Sequence, residues 1–327
     1  MSNDVKITML GTTGAGKTCY MLGLYAVMQM GLQGFTLSAK DPDVDLKLTD
    51  LWERLIDTTG EDRWPPPTPD DPQTYAFNFS YGLKPLIAFD WMDYRGGAMT
   101  DSSTASDARQ LRERLKASDC VFLCISGEHL KEHLSDAQLG NKARKAKVNN
   151  MTTFLVELGD IIKPSDQKPF PIVITITKYD LCFGRPKQEL MADIKKIFGP
   201  LFTPGSGWLV MICPVSLGKE LGEDSASGHI DPKNMHLPLV FALYSRFREY
   251  FLSEQNQLSG TRERLANLKG GNWLQRWWKS GDIQATEVNI QASQSKINEI
   301  QQRMALLAQE LTNAELYLSG EEIKIDV

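Results

Sequence analysis

Two runs, CVFLCIS at 120–126 and PIVITIT at 171–177, are almost continuously apolar and rich in β-branched residues. A strand with one wet face alternates polar and apolar residues; a run without alternation suits a strand covered on both faces. Such strands need a layer of helices above and below. The rest of the chain supplies both parts in alternation. Further strands are expected at Val5–Leu10, Tyr75–Tyr81, Leu86–Met92 and Leu209–Pro214, with the two runs giving Cys120–Ser126 and Ile172–Thr177. Helical periodicity marks Lys17–Met30, Thr104–Ala117, Val148–Ile162, Gln188–Phe198 and Pro238–Phe251. Strand, helix, strand in repetition predicts a three-layer α/β domain around a mostly parallel central sheet.

At 327 residues, with 42% hydrophobic and 24% charged residues, the chain can build a large domain with an appendage. A net charge of −5 gives no general reason to bind nucleic acid. Cys19, Cys120, Cys124, Cys182 and Cys213 lie mostly in apolar runs and are odd in number, which predicts reduced core thiols and a cytoplasmic location. No run reaches the ~20 apolar residues of a membrane span, and MSNDVKITML lacks the pattern of a signal peptide.

Two stretches break the rhythm. Residues 38–74 are acidic and proline-rich, ending in RWPPPTPDDPQT, and are expected to form a long functional connection. Near the C-terminus, Ile283, Ile290, Ile297, Met304, Leu311 and Leu318 recur every seven residues, with Ile300, Leu307 and Ala314 three later. That is an a/d stripe. Phe251, Leu258, Leu265 and Leu268 offer a second one upstream, and GGNWLQRWWKSGD lies between them. The expected organisation is an α/β domain over 1–253 and an antiparallel helical hairpin or coiled coil over 254–327.

Three motifs carry chemistry. Directly after the first strand, GTTGAGKT at 11–18 fits G-x-x-x-x-G-K-S/T and opens a helix. Its glycines let backbone N–H groups from Thr13, Gly14, Ala15, Gly16, Lys17, Thr18 and Cys19 curl around phosphate, with the helix N-terminus adding partial positive charge. Lys17 would reach the β- and γ-phosphates, and the Thr18 hydroxyl would ligate magnesium. Asp93-Tyr94-Arg95-Gly96 fits D-x-x-G at a strand end: Asp93 would hold magnesium through a water, and the Gly96 N–H would meet the γ-phosphate. Asp90 is the alternative magnesium ligand. Thr177-Lys178-Tyr179-Asp180 matches N/T-K-x-D. The Asp180 carboxylate can accept from guanine N1–H and its 2-amino group, whereas adenine would leave that acceptor unpaired. The Lys178 stem would cover one face of the base.

The order GTTGAGKT, DYRG, TKYD, then Pro214-Val215-Ser216-Leu217, resembles the Ras-like and translation-factor-related (TRAFAC) class of P-loop GTPases over roughly residues 4–252. The opening MLGTTGAGKTCYMLGLY and the proline-rich loop look most like small-GTPase-like families of prokaryotes. The resemblance implies a GTPase that uses Mg²⁺ and binds GTP or GDP, with Ser216 and Leu217 meeting the guanine carbonyl, although the alanine usual in that loop is absent. It also implies a threonine from the first mobile loop that completes the magnesium shell. Thr68 in WPPPTPDD is the choice among Thr58, Thr59, Thr68 and Thr74. Such proteins usually place a glutamine after D-x-x-G to orient the attacking water. Here that residue is Gly97. Arg95 and Arg63 are then the candidates for stabilising transition-state charge, and turnover is expected to be slow unless a partner or dimer mate assists.

Trp273, Trp277 and Trp278 with Arg276 and Lys279 sit at the hairpin tip, where packing, a protein contact or membrane-surface insertion are the competing readings. Lys142, Arg144, Lys145 and Lys147 read as a solvated helix face. The expected partners are GTP or GDP and a protein or second copy engaged through the C-terminal helices. Alternatives are a GTP-binding scaffold without hydrolysis, a dynamin-like membrane GTPase and an ATPase.

Overall fold

The computed structural model describes residues 4–66, 73–93, 105–269 and 280–325. The two apolar runs become β5 (Cys120–Ser126) and β6 (Phe170–Thr177), in which Val121, Phe122, Leu123, Ile172, Val173 and Ile174 are fully buried. They pair in parallel with each other, β5 also with β1 (Val5–Leu10) and β6 with β7 (Trp208–Pro214), and β1 pairs in parallel with β4 (Lys84–Asp93) on its other side. Antiparallel strands extend the sheet on both sides: β2 (Phe35–Ala39) and β3 (Gln73–Tyr81) beyond β4, β8 (Glu315–Leu318) and β9 (Glu321–Ile323) beyond β7. The order of the described strands is β2-β3-β4-β1-β5-β6-β7-β8-β9. Five parallel strands therefore end at one edge, where the strand ends Leu10, Asp93, Ser126, Thr177 and Pro214 lie side by side. This is the edge at which open α/β sheets bind ligands.

Helices α1 (Lys17–Gln29), α3 (Ala105–Lys116), α5 (Val148–Ile162) and α6 (Lys187–Ile197) follow their predicted ranges closely. Under α1, Tyr20 packs on Trp91 and Phe122 with ring centroids 5.7 and 6.3 Å apart. Two helices were unexpected. α2 (Pro42–Asp57) occupies half of the stretch expected to be a connection. Its start follows capping rules: the Asp41 carboxylate accepts the Asp43 N–H at 2.9 Å, and Pro42 takes the first turn, where its missing donor does no harm. Leu48 and Leu55, seven apart, are fully buried. α4 (Asp136–Lys145) is entered through Ser135, whose N–H donates to Gln138 Oε1 at 3.0 Å, the return half of a capping box.

The chain divides into two compact units, one Met1–Ala242 with Asn313–Lys324, the other Leu243–Thr312 with Ile325–Val327. The second holds most of α7 (Leu237–Lys269) and α8 (Ser280–Glu310), which run antiparallel: Arg262 donates to Gln294 at 3.0 Å, and Lys296 pairs with Glu254. The helical extension expected over 254–327 thus ends at Glu310, and Leu318, counted in the heptad stripe, lies in β8. Ser319 and Gly320 both have positive φ, 49° and 83°, and form the two-residue turn to β9. The Trp273, Trp277 and Trp278 tip lies outside the described residues. No described helix is long and apolar enough to cross a membrane. All five cysteines are thiols outside any disulfide, and four are buried. Burial pushes the Cys182 thiol up to about 11, so it stays protonated at neutral pH.

Candidate nucleotide site

At the end of β1 the chain turns through Gly11, where a Cβ would lie 2.9 Å from Cys124 Cβ on β5. Glycine lets the loop pass that close. Gly14 and Gly16 take φ of 76° and 78°, in the left-handed region that side chains disfavour, and the Ala15 N–H closes a turn on Thr12 O at 3.2 Å. α1 begins at the next residue. The Lys17 side chain is 5% exposed and folds back along the loop, its ammonium donating to Gly11 O at 3.0 Å and Thr12 O at 3.1 Å. A curled loop, an ammonium and a helix N-terminus are thereby set around one point.

The third motif docks on the first. Thr177, the last residue of β6 and 3% exposed, donates from Oγ1 to Ala15 O at 2.6 Å. Lys178 follows at φ 49°. Gly127, just past β5, lets this turn approach, since a Cβ there would lie 2.3 Å from Lys178 O. The Lys178 ammonium meets Glu128 Oε1 at 2.6 Å. Asp180 accepts from the Ser216 hydroxyl at 2.9 Å, and Ser216 Oγ accepts the Gly218 N–H at 3.1 Å. The Tyr179 N–H donates to Val215 O at 3.2 Å, which ties the loop after β6 to the loop after β7. Burial raises the pKa of Asp180 above the usual carboxylate value, and the Ser216 hydrogen bond opposes that shift.

These loops face one cavity of about 670 Å³. Every predicted binding residue that lies among those described, Thr13 to Cys19 with Lys178, Asp180, Ser216 and Leu217, lines it. Asp93 sits at the end of β4 in register with Met9, beside the start of the phosphate loop. Asp90 is in register with Lys6, three residues or about 10 Å back along the strand and on its opposite face, so it does not reach the loop. Thr68, Arg95, Gly96 and Gly97 lie outside the described residues.

Arg63 departs from the role expected of it. It is neither at the surface nor aimed at a phosphate: 3% exposed, it donates to Leu55 O at 3.0 and 3.2 Å, Gly228 O at 3.0 Å and Ala226 O at 3.2 Å. Its neighbours Glu61, Trp64, Pro65 and Pro66 line the cavity, as do Glu128 and Lys131. Motif reading passed over all of these. Glu128 had one available signal, its place two residues beyond a fully buried parallel strand. The Trp64 wall had none, because its position depends on contacts with residues more than 160 positions away in sequence.

Comparison with protein-family models and with curated proteins finds no match. Among solved structures, the chain is similar to the GTPase-like domain of Ski7 from S. cerevisiae bound to GDP and inorganic phosphate, with a TM-score of 0.34, 12% identity, and coverage of 64% of this chain and 43% of that one. For the same domain bound to GTP the values are 0.32, 13%, 64% and 42%. The chain thus spans less than half the length of these structures.

Proposed function

We propose that the protein is a guanine-nucleotide-binding P-loop GTPase that hydrolyses GTP to GDP with Mg²⁺ and acts as a nucleotide-dependent switch. The observation that carries this reading is that the Lys17 cradle and the Asp180–Ser216 pair face the same cavity. The Thr177 hydroxyl joins the two loops through Ala15 O. A phosphate chain on Thr13–Cys19 then extends towards a base that Asp180 can read. Lys17 would balance the β- and γ-phosphate charge, Lys178 would cover the base, and Ser216 and Leu217 would meet the guanine carbonyl.

The proposed donors are hard oxygens, the Thr18 hydroxyl and the Asp93 carboxylate, and such donors suit Mg²⁺. Thr18 and Asp93 would hold the ion, with Thr68 as the proposed third protein ligand. When bound it would neutralise charge on the phosphate oxygens. Within the chain, Gly96 would donate its N–H to the γ-phosphate, and Arg95 is the remaining arginine of the motif that could stabilise developing charge. Gly97 offers no side chain to orient water, and Arg63 is committed to carbonyls. Hydrolysis by the isolated chain is therefore slow and completed by a partner or by self-association through α7 and α8. The buried, protonated thiols suit a cytoplasmic setting.

The same two residues favour one other reading, a scaffold that binds GTP without cleaving it. Protein loaded with substoichiometric GTP and Mg²⁺ separates the two: a slow single-exponential release of phosphate is expected, and a complete lack of release with GTP still bound would establish the scaffold. Chelation by EDTA is expected to speed release of bound nucleotide, read as the decay of a fluorescent GDP analogue.

A further inference from the structure

Arg63 joins two segments that belong to different parts of the site. On one side are residues 60–66, which place Trp64, Pro65 and Pro66 on the cavity wall. On the other is the loop 218–228, which leaves Ser216 and returns over the same cavity through Leu221, Gly222, Glu223 and Ser225. The join has three hydrogen bonds. The guanidinium supplies two, to the Ala226 and Gly228 carbonyls, and the Gly60 N–H donates the third to Ala226 O at 2.9 Å; two further guanidinium bonds, both to Leu55 O, tie Arg63 back to α2.

The receiving loop is built to present those carbonyls. The Asp224 carboxylate accepts the Ala226 and Ser227 N–H groups, both at 3.0 Å, and the Gly228 N–H donates to Asp224 O at 2.9 Å. A Cβ on Gly228 would lie 2.5 Å from Asp224 O, so only glycine allows that winding. At its other end the loop is pinned to the base-side residue, the Gly218 N–H donating to Ser216 Oγ at 3.1 Å. Trp64 in turn stands 5.6 Å from the Arg63 guanidinium carbon, measured to its ring centroid.

We propose that Arg63 is a positioning residue: it latches the Trp64–Pro66 wall onto the 218–228 loop and so sets how long nucleotide stays bound, while taking no part in cleaving the γ-phosphate. This rests on the nucleotide-binding reading above. A buried arginine with four of its five N–H donors committed to carbonyls on two sides holds two walls of one cavity at a fixed separation. Lysine keeps the charge and lacks the fork that spans three carbonyls.

The test is the Arg63→Lys variant of the full chain, with dissociation of a fluorescent GDP analogue and single-turnover phosphate release from prebound GTP measured side by side. Dissociation is expected to quicken about tenfold, the scale of one lost charge-assisted hydrogen bond, while phosphate release moves less than twofold. Asp224→Ala loosens the receiving loop while keeping the Arg63 side chain. It is expected to quicken dissociation in the same direction and decides the matter if Arg63→Lys does not fold. Wild-type dissociation rates in the folded variants would overturn the latch and leave the nucleotide reading standing. So would a fall in phosphate release with dissociation unchanged. Failure of the wild-type protein to bind the analogue would instead overturn the nucleotide reading, and the proposal with it.

Discussion

Asp180 combines two demands that pull apart. Reading guanine requires a charged carboxylate, yet burial raises its pKa above the ordinary 3.8. Between 3.8 and that raised value the folded protein holds the proton more tightly than the unfolded chain, so this group's contribution to stability grows as pH falls through the window and shrinks as pH rises. Guanine affinity should run the other way, falling as pH drops towards the raised pKa. A GDP titration carried from pH 7.5 down to the lowest pH at which the protein stays folded would register that loss, and affinity independent of pH would contradict it. Thr177 makes a second prediction. Replacing it with valine keeps the shape and removes the hydroxyl that Ala15 O receives, which should destabilise the fold by about 1–2 kcal/mol in urea unfolding and weaken nucleotide binding. Both residues were legible because a short motif names them. Trp64 was not, since it acquires its place from neighbours far away in sequence.

Among the elements, β1, β5 and α5 match their predicted bounds, because a fully apolar run or a strong 3.6-residue period leaves few alternatives. The misses share a cause. Residues 42–57 carry an Asp-Pro start and buried leucines seven apart, but acidic and proline-rich surroundings concealed the helix. Heptad counting extended the last helix through Leu318, although Ser319-Gly320 is a hairpin signal and Leu316 and Tyr317 turn into the sheet core. Gly127 shows how an element junction sets the site. A methyl group at 127 would collide with Lys178 O and force β5 and the loop after β6 apart. Gly127→Ala is expected to lower stability by about 1–3 kcal/mol in chemical denaturation, and an unchanged midpoint would show that the junction yields.

At the scale of the whole molecule, parallel pairing of β4, β1, β5, β6 and β7 brings the GTTGAGKT and TKYD motifs to one sheet edge. Alternating strands and helices foretold that layering, while the return of the chain into β8 and β9 required the folded partner β7 to be present. The central claim is that this edge holds a guanine nucleotide. Competition among GDP, ADP and XDP for the wild-type chain and for Asp180→Asn measures it most directly. The account predicts that the wild type prefers GDP to ADP by two or more orders of magnitude, and that the amide shifts preference towards XDP, whose C2 carbonyl accepts where guanine donates. Equal binding of ADP and GDP by the wild type, or a variant that keeps its guanine preference, would contradict it.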